Sequence, residues 1–150
     1  MLNELAIHSG GRDSITVTLD CYVDGTFLTT CIGDGIIACT ATGSTAYSMA
    51  CGGSVVHPLC DSLCVTPIAP RSLSFRPILL PGKTELDIIV SKNNRNDNLM
   101  ASFDGRHSFD FKRAHMARVS MSSFPAHIIS RADPMEDWIA AIKERLNWNA

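Results

Sequence analysis

Apolar and polar positions alternate over much of the chain. Ile15, Val17, Leu19, Cys21 and Val23 take every second position with mostly polar residues between them, the period of a strand buried on one face. Asp24-Gly25 follows, and residues 27–32 then read as a second strand. A two-residue hairpin turn is the natural link, because Asp-Gly tolerates the positive φ that such turns require. Asp104-Gly105 sits in the same way between residues 99–103 and 107–111 and predicts another hairpin. Further strand candidates are residues 2–7, 36–39, 63–66, 86–91, 116–121 and 126–130, with a polar loop over 93–98. Many short strands separated by turn residues predict an all-β fold, a β-sandwich. No internal repeat or low-complexity tract interrupts them.

Two segments break the pattern. Residues 44–50, set between Gly43 and Gly53, predict a short helix. Near the C-terminus Asp133 is placed to cap a helix, Pro134 suits its first position and Glu136 completes an arrangement like a capping box. Met135, Trp138, Ile139, Ile142 and Leu146 recur at helical spacing, so one stripe is expected to bury against the body. Trp138 and Trp148 are read as core or edge packing rather than as ligand contacts.

A chain of 150 residues makes one domain with a sizeable core. A net charge of −2, with no basic run longer than Lys112-Arg113, excludes any general pull toward nucleic acid or anionic membrane. No apolar run approaches the roughly 18 residues of a membrane span. No secretion signal precedes the first strand, which starts almost at once and leads us to expect a fragment of a longer protein. The six cysteines form no C-x-x-C pair and meet no histidine pair at zinc spacing, and no metal site is read. Their neighbours are mostly apolar, which predicts buried, reduced, poorly reactive thiols in a cytoplasmic compartment, with a mitochondrial one as the alternative. A disulfide framework is the other reading of the same six residues.

The segment richest in candidate chemistry runs from Gly33-Asp34-Gly35 through Ile36-Ile37-Ala38-Cys39-Thr40-Ala41 to Thr42-Gly43-Ser44-Thr45-Ala46-Tyr47. It reads as a strand between two glycine-bearing turns that leads into a short helix. Glycine allows close backbone approach to a ligand, and a helix start offers unpaired N–H groups. Thr42, Ser44 and Thr45 add hydroxyls, and Tyr47 offers a flat face for a base. The residues by themselves leave two readings open: a nucleotide-sized recognition surface, or a plain loop-and-helix connection.

Thr42-Gly43-Ser44-Thr45-Ala46-Tyr47-Ser48, followed by Gly52-Gly53 and His57-Pro58, resembles the T-G-S-T-A-Y-S signature of NAD kinases. Asn3-Glu4 is similar to that family's Asn-Glu motif, and Gly33-Asp34-Gly35 to its G-D-G turn. Thr66-Pro67-Ile68-Ala69-Pro70 with Ser72-Leu73-Ser74-Phe75-Arg76-Pro77 resembles its later motif. Ser102-Phe103-Asp104-Gly105 and the closing Asp133-Pro134, Asp137-Trp138 and Leu146-Asn147-Trp148-Asn149 resemble the eukaryotic branch. The likeness runs in order over essentially the whole chain.

This resemblance implies transfer of a phosphoryl group from ATP, with Mg²⁺, to the 2′-hydroxyl of the adenosine ribose of NAD. It implies that Asn3 and Glu4 contact the adenosine portion, that Thr45, Ala46 and Tyr47 frame a base, and that Ser48 lies in the same substrate site. Asp34 and Ala69 are expected on the nicotinamide side or at a neighbouring subunit's ligand. Ala50 stands where many bacterial relatives have serine, and Ile32 where some have arginine. Asp104 reads equally as a site-lining acid or as an ordinary turn former. The partners implied are NAD, ATP, an N-terminal kinase domain and further copies of the chain. The family's G-G-D-G-T motif, whose aspartate is the general base, is absent from these 150 residues. A non-catalytic nucleotide-binding or oligomerisation module remains the alternative, and a related lipid kinase a third reading that the T-G-S-T-A-Y-S context disfavours.

Overall fold

The computed structural model describes residues 1–10, 16–95, 98–127, 129–130 and 133–148. Among the described residues ten strands follow one another: β1 (Glu4–Ser9), β2 (Val17–Val23), β3 (Thr26–Gly33), β4 (Gly35–Thr40), β5 (Ser62–Ile68), β6 (Ile78–Pro81), β7 (Leu86–Val90), β8 (Leu99–Phe103), β9 (His107–Asp110) and β10 (Met116–Val119). They form two antiparallel sheets, one in the order β6-β5-β4-β1-β8-β9 and the other β10-β7-β2-β3. The predicted sandwich is therefore present. Its core holds Leu5, Ile7, Val17, Leu19, Ile36, Ala38, Leu63, Val65, Leu86 and Ile88 between the sheets.

Both Asp-Gly pairs make the predicted hairpins. Asp24 and Gly25 have φ of 49° and 76°, Asp104 and Gly105 of 52° and 62°, so both central residues of each turn are left-handed, as a tight hairpin needs. Residue 15, at the head of the first alternating run, and residues 96–97 of the polar loop lie outside the described residues.

β4 and β5 do not alternate: Gly35, Ile36, Ile37, Ala38 and Cys39 are all buried, as are residues 63–68. The reason is a second apolar layer on the far side of the larger sheet. Cys39 and Cys64 pack there with Ala41 and Val56, and Ala6, Ile37 and Ile68 form an adjoining cluster. Strands buried on both faces read as continuous apolar runs. The covering segment, residues 41–56, is where the sequence expected one helix over 44–50. Instead a 3₁₀ turn (Ala41–Thr45) and the single turn α1 (Tyr47–Ala50) are separated by Ala46, whose ψ of −130° is incompatible with a helix.

Three other expectations change. β6 was not anticipated: it is short and ends in proline, which an edge strand tolerates. The described residues of 126–130 form no strand and are exposed; residue 128 lies outside them. Trp148 is 70% exposed and so is not a core residue.

The C-terminal helix α2 (Pro134–Leu146) starts as predicted, with the Asp133 carboxylate accepting the Met135 N–H at 2.8 Å. Asn147, left-handed at φ 48°, ends it. Ile142 is buried, and the half-buried Trp138 meets the His57 ring edge-on with centroids 4.8 Å apart. Met135 and Ile139 stay exposed, so the apolar stripe is only partly covered.

Candidate functional site

Register sets the site. Glu4 of β1 lies directly opposite Cys39 of β4, and Cys39 directly opposite Cys64 of β5. Directly opposed residues point to the same side of a sheet, so a carboxyl and two thiols stand in one row beneath the 41–56 cover.

That cover is tied down by hydroxyls. Ser44 donates to the Ala41 carbonyl at 2.6 Å and accepts from the Val56 N–H at 2.9 Å. Ser48 and Thr66 share a hydrogen bond of 2.8 Å. Gly43 runs so close to Asn3 that a β-carbon would collide with the Asn3 carbonyl. The two motifs, forty residues apart in sequence, are thus one surface.

Glu4 is buried, with 6% of its surface exposed. The backbone N–H of Tyr47, at the start of α1, faces its carboxyl and favours the charged form. One carboxyl oxygen, Oε2, is buried with no hydrogen-bond partner among the described residues. Burial pushes the Glu4 pKa above the usual carboxylate range, the Tyr47 N–H opposes this, and the charge of Asp104 adds to the rise. A buried acceptor with a vacant lone pair is costly unless something donates to it.

Tyr47 is 41% exposed, which leaves a ring face open. Its hydroxyl pKa is raised first by burial, then by Cys51, Asp34 and Glu4, so those groups lie within electrostatic reach of one another. Asp34 is exposed at the turn between β3 and β4; its N–H donates to the Ile68 carbonyl at 2.9 Å. The next residue, Ala69, is left-handed at φ 42°, a conformation that costs an alanine roughly 1–2 kcal/mol. Such strain gathers at functional sites.

The other expected residues divide. Thr45 and Ala46 are half-buried beside Tyr47, and Asn3 is half-buried next to Glu4. Ala50 is exposed at the end of α1. Ser48 is buried, with its hydroxyl engaged by Thr66, so it anchors the cover. Asp104 spends its carboxylate on the chain: Oδ2 accepts from the Leu2 N–H at 2.9 Å, Oδ1 from those of Asn3 and Glu4 at 2.7 and 3.2 Å. Burial works against its charge, but the three N–H groups together hold its pKa below the usual value. It is both the turn former and the clamp that fixes Asn3-Glu4.

Sequence reading placed Thr66 in a motif without its anchoring role and missed the Cys39–Cys64 pair, for which only strand register could have given a signal. All six cysteines are free. Cys21 and Cys31 fit the inert, buried thiols predicted: burial pushes both up to about 12. Cys60 is exposed, and Cys64 departs in the other direction, since its contact with Cys39 holds its pKa below the usual thiol value.

A family model described as the ATP-NAD kinase C-terminal domain matches residues 2–131. The chain is 38% identical over 149 residues to the NAD(+) kinase of Saccharomyces cerevisiae, covering 99% of this chain and 27% of that protein. It is also 38% identical over 149 residues to NAD kinase 2, chloroplastic, of Arabidopsis thaliana, with 99% and 15% covered. Among solved structures, yeast NADH kinase complexed with NADH superimposes with a TM-score of 0.87 at 34% identity, over 99% of this chain and 44% of that one. An NAD kinase from Archaeoglobus fulgidus in complex with ATP gives 0.82 at 25% identity, over 95% and 53%. The chain spans about a quarter or less of the length of these two curated relatives.

Proposed function

The chain belongs to the ATP-NAD kinase C-terminal domain family, and from that premise we propose that it is the NAD-binding half of an NAD kinase. The whole enzyme would transfer the terminal phosphoryl group of ATP to the 2′-hydroxyl of the adenosine ribose of NAD, giving NADP. The observation that carries this reading is the buried, unpartnered Oε2 of Glu4 beside the open face of Tyr47. A ribose supplies the hydroxyl donors that the oxygen lacks, and the attached adenine suits the ring. Asn3, Thr45 and Ala46 border that place, while Asp34 in the β3–β4 turn and Ala69, which follows β5 and lies beside that turn, stand where the nicotinamide side or a neighbouring copy's ligand would lie. The yeast and archaeal relatives complexed with NADH and ATP support nucleotides as the partners.

Phosphoryl transfer is mostly positioning and charge stabilisation. Here Glu4 and Tyr47 position the acceptor. The general base and the phosphate-holding glycines of G-G-D-G-T come from an N-terminal kinase domain that is not in these residues. Among the described residues no three His, Cys, Asp or Glu side chains converge as a cation site. Mg²⁺ would enter with the ATP substrate. The exposed Phe27, Leu28 and Ile32 on the open edge of β3 support self-association.

Calorimetric titration of the chain with NAD, beside an NADP assay with ATP and Mg²⁺, tests the reading. Binding of NAD with no NADP formed by the chain alone is expected, and turnover after an N-terminal domain from a relative is supplied. Turnover near one per second by the chain alone would overturn the half-enzyme reading. Failure to bind NAD would overturn the site.

A further inference from the structure

Cys39 and Cys64 sit in the sheet that carries Glu4 and face each other directly across β4 and β5. We propose that they are a redox-active dithiol which closes to an intramolecular disulfide on exposure to a peroxide. Directly opposed residues in an antiparallel pair have β-carbons about 4.5–5.5 Å apart, close to the 3.5–4.5 Å a disulfide needs. Closure therefore asks for a small local adjustment and no refolding.

The pair is chemically unlike the other thiols. Cys39 is fully buried, and its contact with the Cys64 sulfur, added to burial, pushes its pKa well up. The same contact, helped by Ser62, holds the Cys64 thiol down, against the effect of burial. The thiol–thiol contact lets one sulfur ionise while the other keeps its proton, and we assign the thiolate to Cys64, which retains 3% exposure against none for Cys39. The Cys64 thiolate attacks one peroxide oxygen, the O–O bond breaks, and hydroxide or alkoxide leaves and takes up a proton. Cys64 is then a sulfenic acid. The Cys39 sulfur attacks that sulfur, the S–S bond forms, the S–O bond breaks and water departs with the thiol proton. Two electrons pass from the two sulfurs to the peroxide. The neighbours offer rivals: Cys51 is half-buried and Cys60 exposed, but neither stands opposite a second cysteine in the strand registers.

Cys39 also touches the hydroxyl of Ser48 and feels the charge of Glu4. Drawing Cys39 toward Cys64 would therefore loosen the Ser48 anchor and shift the row on which Glu4 sits. That loss of NAD affinity rests on the function proposed above, whereas disulfide closure does not.

The full chain is treated with hydrogen peroxide, its remaining thiols are alkylated in denaturant, and it is cleaved without reduction before aspartates. Cuts before Asp34 and Asp61 part Cys39 from Cys64, whereas no Lys or Arg lies between them. A cross-linked peptide joining Cys39 to Cys64, reversed by dithiothreitol and retained in Cys51→Ala and Cys60→Ala, is expected. Loss of the link in both Cys64→Ala and Cys64→Ser supports it further. Links through Cys51 or Cys60 only, or sulfinic acid at Cys64 with no link, would overturn the dithiol. In the linked chain NAD affinity should fall at least about tenfold and return on reduction. An unchanged affinity, in a chain that binds NAD when reduced, would overturn the coupling. A reduced chain that does not bind NAD refutes the function and leaves the disulfide result standing.

Discussion

Gly43 and Asn3 meet backbone to backbone: the Asn3 carbonyl fills the space a β-carbon on Gly43 would occupy. Neither backbone has room to retreat, since Gly43 also lies against Cys39, and the Asn3 N–H is held by Asp104. Gly43→Ala should therefore cost about 1–3 kcal/mol, the range for overpacking, and should displace Asn3-Glu4. Thermal unfolding reads the first effect and NAD titration the second. A variant as stable as the parent with full NAD affinity would show that the contact does not matter.

Glu4→Gln should move stability and binding in opposite directions. Because the folded-state pKa of Glu4 is raised, its carboxyl favours the fold most below its unfolded value of roughly 4.3. That contribution is lost as pH rises through the folded value. The amide keeps an acceptor for the Tyr47 N–H and carries no buried charge. At pH 7–8 the empty variant should be more stable by about 1 kcal/mol, or about 2–4 °C in Tm, with the gain gone near pH 4. NAD binding should weaken by about 1.5–3 kcal/mol, the worth of a bond to a charged group. With the kinase domain supplied, kcat should fall too, because the same ribose carries the reacting hydroxyl.

Tyr47→Ala separates the ring from the backbone. Glu4 is faced by the Tyr47 N–H, which the variant retains, and the tyrosine is 41% exposed. Tm should change little, while NAD affinity drops by about 1–3 kcal/mol, as for loss of one base–aromatic stack. With the kinase domain supplied the effect should fall mainly on KM. Equal NAD affinity in parent and variant would remove Tyr47 from the site.

Asp104→Asn should destabilise in a way that depends on pH with the opposite sign to Glu4. Asparagine tolerates the left-handed turn, so the test isolates the charge that receives three N–H groups. The Asp104 pKa is lowered in the fold. Its stabilisation is therefore present above the unfolded value of roughly 3.9 and lost as pH falls through the folded one. A cost of about 1–2 kcal/mol is expected at pH 7, toward the low side for charged acceptors because the Leu2 end is exposed. Parent and variant should converge near pH 2. A gap in Tm that persists unchanged there would assign the effect to the turn.

The hairpins and α2 were legible because their causes are local: Asp-Gly turns, period-two alternation, and Asp133-Pro134 at a helix start. The candidate site is legible through its motifs but not through its physics. Nothing in the sequence around Glu4 says that its carboxyl is buried under α1 or that Asp104 grips the backbone before it, because both contacts are distant in sequence. The runs 36–39 and 63–66 are the strands their pattern predicts, yet their burial on two faces depends on the 41–56 segment folding over them. Residues 126–130 misled in the opposite sense: those of them that are described pair with no strand among the described residues. Ser48 belongs to the motif and yet points inward, a distinction that only its bond to Thr66 reveals.

The two-sided burial of β4 and β5 makes them a party wall between the sandwich interior and the layer under the candidate site. Amide exchange should be slowest in that wall, since neither face opens without breaching a core. A ligand bound at the proposed site would be met by the most rigid part of the molecule, and little ordering entropy would be spent on binding. The same arrangement carries a liability. A change of volume at Ile36, on the sandwich side, is one residue from Ile37, on the site side, so packing errors far from any ligand will be read out as weakened binding.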